Sequence, residues 1–206
     1  MSSSSDILVV AATARELASA DDWTGITCGV GPVEAAVATA RAIGEYRPAA
    51  VLHVGIAGAR RARALPAGTL VVGTHACYAD LGDVPPEWAP QEIAPPAWLL
   101  EAVRAQLPDA VFAPIGTTAR VGGISDASGR AARRAVEVEA MEGFAVLRAA
   151  QRAGLPAIEV RAISNDIEET DRARWHFGRA FAAITDVTPR LVQTLRDALA
   201  GAASRA

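Results

Sequence analysis

The chain has 206 residues, of which 51% are hydrophobic and 21% are charged, and its formal net charge is −3. This length and composition suit a single soluble α/β domain that spans residues 1–206 and has an ample core. The pI of about 5.6 and the absence of a Lys/Arg run argue against a nucleic-acid partner. The absence of a long apolar run argues against a membrane span.

The start of the chain and its two cysteines bear on the cellular compartment. Residues 1–5 are predicted to be a disordered tail. The start, Met-Ser-Ser-Ser-Ser-Asp, has no charged region and no apolar region, so it is not predicted to be a signal peptide. Cys28 and Cys77 lie far apart and outside any CxxC pattern, so both are predicted to be reduced core residues. These features predict a cytoplasmic protein.

Strands and helices alternate along the first half of the chain. Apolar runs of strand length are followed by segments with helical periodicity. The predicted elements are a buried strand at 7–12, a short helix at 14–20 capped by Thr13, a strand at 26–29, a helix at 33–46, a strand at 49–54, and a strand at 69–73 that His75 to Asp80 extend. This alternation indicates an α/β architecture.

The second half continues the alternation after a proline-rich loop. Residues 82–96 contain five of the twelve prolines, and we expect a rigid loop that acts as a lid or a subunit contact. The elements predicted after this loop are a helix at 98–107, strands at 110–112 and 117–121, a helix that Asp126 or Ser128 caps and that ends at Arg134, a strand at 136–139, a helix at 141–153, a strand at 157–163, and a last helix that starts near Asp171, breaks before Pro189 and ends near Ala200. Ligands of α/β folds bind at the ends of such elements.

Three polar side chains fall at the ends of predicted elements, namely Glu16, Glu142 and Asn165. From local sequence alone, Glu16 is an acid that stabilises a helix dipole, and Ser164-Asn165-Asp166 is an ordinary turn. Taken together, two carboxylates and an amide suit cleavage of a purine N-glycosidic bond. That reaction needs a carboxylate that activates water, an acceptor for the ribose hydroxyls and a group that stabilises the departing base.

Two glycine-containing segments and one histidine lie near these residues. Gly29-Val30-Gly31 and Gly55-Ile56-Ala57-Gly58 would let the backbone approach a ligand, although such segments also occur in ordinary tight connections. His53, beside a buried strand end, is typical of a core histidine whose hydrogen bonds are satisfied. These segments alone do not identify a ligand.

Two longer motifs carry a family resemblance. The run Val138-Glu139-Ala140-Met141-Glu142-Gly143, followed about twenty residues later by Val160-Arg161-Ala162-Ile163-Ser164-Asn165, resembles the nucleoside phosphorylase/nucleosidase superfamily. Within it, the chain is most similar to bacterial nucleosidases that act on methylthioadenosine, S-adenosylhomocysteine or futalosine. The resemblance implies one three-layer α/β domain around a central mixed, partly closed β-sheet. It also implies a homo-oligomer that needs neither metal nor organic cofactor and binds a small purine nucleoside.

The resemblance also implies roles for individual residues. Glu16 matches the acid that activates the attacking water, and Glu142 matches the carboxylate that holds the ribose 2′- and 3′-hydroxyls. Met141 matches the residue packed against the sugar, and Asn165 matches the position that binds the purine. The remaining substrate-binding residues that we expect are, around the water, Gly55, Ile56, Ala57 and Gly58 and, along the base, Gly123, Ile124 and Ser125.

Two departures from the wider family refine the expected reaction. Phosphorylases of this superfamily have an Arg and a Ser that bind phosphate where this chain has His53 and Ile56, so water is the expected nucleophile. Members specific for adenine have an Asp where this chain has Asn165. An amide donates to the O6 atom of a 6-oxopurine, which points to hypoxanthine as the base.

The expected function is therefore that of the futalosine hydrolases, with Glu16 and Asn165 as the catalytic residues. The loop after Asn165, with Glu168, Asp171 and Trp175, also looks like these enzymes. The rivals are a methylthioadenosine/S-adenosylhomocysteine nucleosidase, a phosphorylase and a non-catalytic nucleoside-binding module. The carboxyphenyl end of futalosine requires an apolar slot with a cation, and the sequence does not identify the arginine that supplies it.

Overall fold

A computed structural model of the protein describes residues 7–19, 22–82, 84–85, 87–126 and 135–204, without the side chains of Ser125 and Asp126. The tail predicted at 1–5 and residues 127–134 of the helix predicted to end at Arg134 lie outside the described residues. The strands are β1 Ile7–Ala11, β2 Thr24–Thr27, β3 Ala50–Ala59, β4 Leu70–Tyr78, β5 Glu92–Ile93, β6 Val111–Thr117, β7 Val138–Ala140 and β8 Ala157–Asp166. The α-helices are α1 Pro32–Tyr46, α2 Ala97–Gln106, α3 Gly143–Arg152 and α4 Phe177–Ala203.

These strands form one mixed sheet that closes on itself over part of its width. The sheet order is β2-β1-β3-β7-β6-β4-β5, and β8 pairs with both β3 and β4. The pairing of β8 is parallel with β3 and antiparallel with β4. Strands β3, β8, β4, β6 and β7 therefore make a closed ring, from which β1, β2 and β5 extend. This arrangement confirms the predicted mixed, partly closed sheet.

Helices cover both faces of the sheet. Leu99 and Val103 of α2 and Ile184 and Leu191 of α4 are fully buried against one face. Residues of α1 and α3, such as Val146, pack against the opposite face. Apolar burial on both faces is the main contribution to stability in such a fold. The three-layer α/β architecture predicted from the sequence is confirmed.

The prediction of two strands at 110–112 and 117–121 is wrong. A single strand, β6, runs from Val111 to Thr117, and the chain turns immediately after it. Pro114 lies between the two predicted strands and lacks the N–H that a strand donates. The pairing of β6 with β4 shifts its register between Gly73 and Ala76, opposite Pro114, and this irregularity accommodates the proline.

Further element boundaries differ from the predictions. The helix predicted at 14–20 is only a 3₁₀ turn, Ala14–Glu16, and the backbone is extended again at Leu17 with φ −86° and ψ 128°. The last helix begins at Phe177 rather than near Asp171, after a 3₁₀ turn at Arg172–Arg174. It continues through Pro189, since the buried residues on both sides of the proline hold it against the sheet.

Candidate active site

A cavity of about 170 Å³ lies where β1, β3, β7 and β8 end, beneath α4. It brings together Glu16, Glu142 and Asn165, which are separated by up to 149 positions in the sequence. Of the other residues expected to contact substrate, Met141, Ile56, Ala57 and Gly58 also line it. The lining does not include Gly55, Gly123 or Ile124, and the side chain of Ser125 lies outside the described residues.

The carboxylate of Glu16 is fixed by three hydrogen bonds at the edge of this cavity. Its Oε2 atom accepts from the Thr13 backbone N–H and from the Thr13 hydroxyl, both at 2.8 Å. Its Oε1 atom accepts from the backbone N–H of Ile56 at 3.1 Å. Only 4% of Glu16 is exposed. The 3₁₀ turn and β3 therefore hold one buried carboxylate in a single orientation, as a general base requires.

The carboxylate of Glu142 is held from two sides. Its Oε1 atom accepts from the backbone N–H of Gly31 at 3.1 Å, and its Oε2 atom lies 3.3 Å from Nη2 of Arg161. Gly31 has a φ of 95°, a backbone conformation that favours glycine. The Gly29-Val30-Gly31 segment thus contributes a backbone donor to a carboxylate in the cavity wall.

Arg161 is a buried guanidinium at the centre of the site. Its Nε donates to Glu159 at 2.8 Å, its Nη1 lies 3.4 Å from the carbonyl oxygen of Ile56, and its Nη2 contacts both Glu142 and the Nε2 atom of His53. Although burial lowers the pKa of Arg161, the charges of Glu159 and Glu142 outweigh it and the net shift is upward. The guanidinium therefore stays charged and ties the Glu142 carboxylate to β3.

His53 and Glu159 complete this buried network. The Nδ1 atom of His53 lies 2.9 Å from the carbonyl oxygen of Val10, so Nδ1 carries the proton and Nε2 accepts from Arg161. Burial and the charge of Arg161 hold the pKa of His53 well below its usual value. Burial raises the pKa of Glu159, and Arg161 opposes that rise. His53 is thus a satisfied core histidine, as the sequence indicated.

Gly55 creates the space in which Arg161 and Glu16 meet. A Cβ atom at this position would overlap Nη1 of Arg161 and would lie 2.9 Å from Oε1 of Glu16. Gly55→Ala is therefore expected to reduce the free energy of unfolding by about 1–3 kcal/mol, because it overpacks the core, and to lower kcat by displacing Glu16. Urea unfolding and a base-release assay measure the two effects.

Gly44 on α1 provides the matched control for that substitution. A Cβ atom there would have no heavy atom within 4 Å, and Gly44 has an ordinary helical backbone. Gly44→Ala should leave kcat unchanged and should stabilise the helix by up to about 1 kcal/mol. A Gly55→Ala protein as stable and as active as wild type would contradict this account of the buried network.

Asn165 and Asp166 point to opposite faces because side chains alternate along a strand, and a bulge in β8 decides which of them faces the cavity. The pairing of β8 with β3 joins Ile163 to Ala57 and Asn165 to Gly58, which leaves Ser164 as the extra residue. Asn165 lines the cavity, whereas Asp166 pairs with the exposed Arg61 at 3.1 Å. The structure therefore places an amide in the cavity, and the neighbouring acid outside it.

Local hydrogen bonds fix the orientation of the Asn165 amide. Its Oδ1 accepts from the Ser164 hydroxyl at 2.7 Å, and its Nδ2 donates to the carbonyl oxygen of Asp166 at 2.9 Å. Exchanging oxygen and nitrogen would place the amide oxygen against the carbonyl oxygen of Asp166, so that two acceptors would meet. An amide can make further bonds, so one N–H and one lone pair of Asn165 are available to a ligand.

Glu139 was not singled out by the sequence reasoning as a site residue, although it lines the cavity. Its carboxylate accepts from the backbone N–H groups of Gly122 and Ile124, at 2.6 and 2.7 Å. Burial raises its pKa, against the lowering effect of these two hydrogen bonds. Glu139 therefore shapes the segment that was expected to line the base. An acid inside the short β7 strand was the available signal.

The cavity wall formed by α4 and the preceding turn is aromatic. Trp175 and Phe181 line it, together with Val30 and Val121. No Arg or Lys is among the described residues that line the cavity. In the described ranges, no cluster of three or more His, Cys, Asp or Glu side chains could hold a metal ion. Within the same ranges, no helix is long and apolar enough to cross a bilayer.

The fold and the carboxylates that line the cavity define a class of protein. Comparison with known proteins identifies that class. The profile of the phosphorylase superfamily matches residues 19–202, and the chain belongs to this family. Over 200 residues, the chain is 36% identical to a futalosine hydrolase from Streptomyces coelicolor, with 85% of this chain and 80% of the relative covered.

Solved structures share the fold. A methylthioadenosine/S-adenosylhomocysteine nucleosidase from Neisseria meningitidis, in complex with methylthio-immucillin-A, matches with a TM-score of 0.77 and 21% identity over 92% of this chain and 99% of its own. A futalosine hydrolase from Helicobacter pylori matches with a TM-score of 0.73 and 14% identity over 93% and 97%. At these identities the likeness extends to the fold alone.

Proposed function

We propose that this protein is a futalosine hydrolase. It would cleave the N-glycosidic bond of futalosine with water, giving hypoxanthine and dehypoxanthine futalosine, a step of menaquinone biosynthesis. The observation that carries the proposal is the Asn165 amide in the cavity of a chain 36% identical to a futalosine hydrolase. An amide offers an N–H to the O6 atom of hypoxanthine, whereas the acid beside it, Asp166, pairs with Arg61.

In the proposed reaction, Glu16 is the general base. Its carboxylate accepts a proton as the oxygen of a water molecule forms a bond to C1′ of the ribose. The C1′–N bond breaks, its electron pair passes to the purine, and the purine gains a proton from solvent. The three hydrogen bonds to Glu16 support this role, because they hold the carboxylate still while charge develops.

Glu142 and Asn165 would hold the two halves of the substrate on either side of the breaking bond. The two oxygens of Glu142 can accept from both ribose hydroxyls, and Arg161 keeps this carboxylate in the wall. The free N–H of Asn165 would donate to O6 and its oxygen would accept from N7–H of the departing base. Negative charge that builds on the purine is thereby stabilised.

The lining of the cavity supports water over phosphate as the nucleophile. Ile56 lies beside Glu16 and presents an apolar side chain where a phosphate site needs hydrogen-bond donors. The nearest buried cation, Arg161, already contacts Glu142, Glu159 and His53. A phosphate ion would therefore meet three carboxylates and no available cation among the lining residues described.

The proposal includes a cytoplasmic homo-oligomer that binds no nucleic acid. Val33 and Val37 on α1 are 71% and 65% exposed, and they border a shallow apolar surface that also includes Phe144. Exposed apolar residues that lie together are typical of subunit contacts. A sedimentation mass equal to one chain at micromolar concentration would contradict the oligomer.

A base-release assay tests the proposed function. Futalosine, aminofutalosine and methylthioadenosine are supplied separately, each with and without phosphate, and the released base is separated by chromatography. We expect hypoxanthine from futalosine at a rate that phosphate does not change. Release of adenine alone would indicate a methylthioadenosine/S-adenosylhomocysteine nucleosidase, and strict dependence on phosphate would indicate a phosphorylase. Binding without release of any base would indicate a nucleoside-binding module.

A further inference from the structure

Three aromatic side chains form a continuous row along one wall of the cavity. The ring centroids of Trp175 and Phe177 are 5.4 Å apart, and those of Phe177 and Phe181 are 5.9 Å apart. Trp175 and Phe181, the two ends of the row, line the cavity. The Nε1–H group of Trp175 donates to the carbonyl oxygen of Glu169 at 3.0 Å, which fixes that ring. The row is a preformed surface for a flat apolar group.

Arg15 brings a positive charge to the end of this aromatic row. Its guanidinium carbon lies 4.5 Å from the centroid of the Phe181 ring, within the range of a cation–π contact. Arg15 is exposed and lies between Thr13 and Glu16, both of which line the cavity. The ring of Phe181 therefore holds the charged group near the mouth of the cavity.

Arg15 differs from several other arginines in the groups that its guanidinium contacts. Arg61, Arg63, Arg174 and Arg196 each lie within 4 Å of a carboxylate. For Arg15, no carboxylate in the described part of the chain is that close, and its described partner is the Phe181 ring. The N–H groups at the edge of its guanidinium remain able to bind an anion while the face stays on the ring.

The placement of the other substrate groups indicates which part of a nucleoside reaches this wall. Under the proposed function, Asn165 binds the base and Glu142 binds the two ribose hydroxyls. The remaining substituent of the ribose is the one on C5′. The lining that is left for it includes the aromatic wall of Trp175 and Phe181, with Arg15 at its edge.

We propose that Arg15 and the row Trp175, Phe177 and Phe181 form a subsite for an aryl carboxylate on C5′ of the nucleoside. The aryl ring packs on the aromatic row, and the guanidinium of Arg15 donates to the carboxylate. This inference rests on the proposed function and names the residue that selects the 5′ group. An arginine suits this role because its planar fork matches both oxygens of a carboxylate.

The first test compares substrates with and without the carboxylate. For Arg15→Ala, we expect KM for futalosine to rise by about 10- to 100-fold, the loss that a charge-assisted hydrogen bond produces. The value of kcat/KM for inosine, which has only a hydroxyl on C5′, should stay within about twofold of wild type. The wild-type preference for futalosine over its methyl ester should disappear in the variant. An unchanged preference would overturn the proposal.

Arg104→Ala is the matched control. The Arg104 guanidinium lies 3.7 Å from the centroid of Phe112, so this variant also loses an arginine that stacks on a phenylalanine, but at a place remote from the cavity. We expect it to leave all three substrates unaffected. An equal loss in both variants would mean that Arg15 acts through the stability of the fold.

A binding measurement separates this proposal from the proposed function. Futalosine is titrated calorimetrically into Glu16→Gln protein with and without Arg15→Ala, at low and high salt. A 10- to 100-fold weaker Kd without Arg15, with the difference reduced by salt, supports the subsite even if wild type releases no hypoxanthine. Equal affinity with and without Arg15, or no binding to either protein, would overturn it.

Discussion

Glu16→Gln is expected to lower kcat for hypoxanthine release by about 1,000-fold, the middle of the range that general-base catalysis contributes. The amide cannot accept the proton of the attacking water, although it fills the same volume. Substrate affinity should change by only a few fold, because Glu142 and Asn165 make the proposed contacts with the sugar and the base. Steady-state base release gives kcat, and calorimetric titration gives Kd.

The hydrogen bonds of Glu16 also predict that Glu16→Gln lowers the free energy of unfolding. Both carboxylate oxygens accept backbone N–H groups, from Thr13 and from Ile56. The amide nitrogen of a glutamine would face one of these N–H donors. The loss of that hydrogen bond should lower the free energy of unfolding by about 1–3 kcal/mol. Glu101→Gln on α2, remote from the cavity, is the control and should change neither kcat nor stability. A Glu16→Gln protein with more than a tenth of wild-type kcat would exclude Glu16 as the base.

Asn165→Asp is expected to reverse the preference between 6-oxo and 6-amino purines. A carboxylate oxygen in place of Nδ2 would lie about 2.9 Å from the carbonyl oxygen of Asp166, so two acceptors would meet. Protonation of the new acid removes this conflict, because its O–H donates to Asp166, and the lone pairs of the same oxygen can then accept from the 6-amino group of adenine. We expect kcat/KM for futalosine to fall by about 100-fold, because a mispaired buried polar group costs about 1–3 kcal/mol.

The measurement is the ratio of kcat/KM for futalosine to that for aminofutalosine. Asp166→Asn is the matched control, because it exchanges the same two functional groups one position further along β8. Asp166 is 40% exposed and pairs with Arg61, so its replacement should leave the ratio within about twofold of wild type. If Asn165→Asp kept the wild-type ratio and Asp166→Asn changed it, the base would be recognised by Asp166.

The sequence predicted the architecture because hydrophobic periodicity reports burial directly. Runs such as Ile7–Ala11 are apolar throughout because helices cover both faces of the sheet. The last helix was predicted to break before Pro189, and β6 was predicted as two strands on either side of Pro114, because local propensity is a weak guide where tertiary packing holds the chain. The register shift opposite Pro114 depends on pairing with a distant strand, and the sequence contains no local signal for it.

For the candidate site, some residues were predicted from the sequence and others were not. Glu16, Glu142 and Asn165 were found through the family resemblance, because local sequence favoured a surface acid and an ordinary turn. The contact between His53 and Arg161 joins residues 108 positions apart, which no periodicity reveals. A signal for Glu159 and Arg161 was nevertheless present. Two opposite charges spaced by two residues in an apolar strand lie on one face and can pair.

The contact between Arg15 and the aromatic wall could also not be predicted from the sequence. Phe177 and Phe181 are one helical turn apart, and this spacing alone is more often seen in a core. Their proximity to Arg15 depends on where α4 crosses the turn after β1. Arg15 could therefore be proposed as the cation of the 5′ subsite only after the fold was known.

The bulge at Ser164 has a consequence for how this family could diversify. An amide and an acid occupy consecutive positions at the end of β8, and one unpaired residue decides which of them enters the cavity. If β8 paired regularly beyond Ile163, Ser164 would lie opposite Gly58, and the amide would move to the position opposite Ala59 that the acid now holds. A change in strand pairing and a point mutation at Asn165 are thus alternative evolutionary routes to a different group in the cavity.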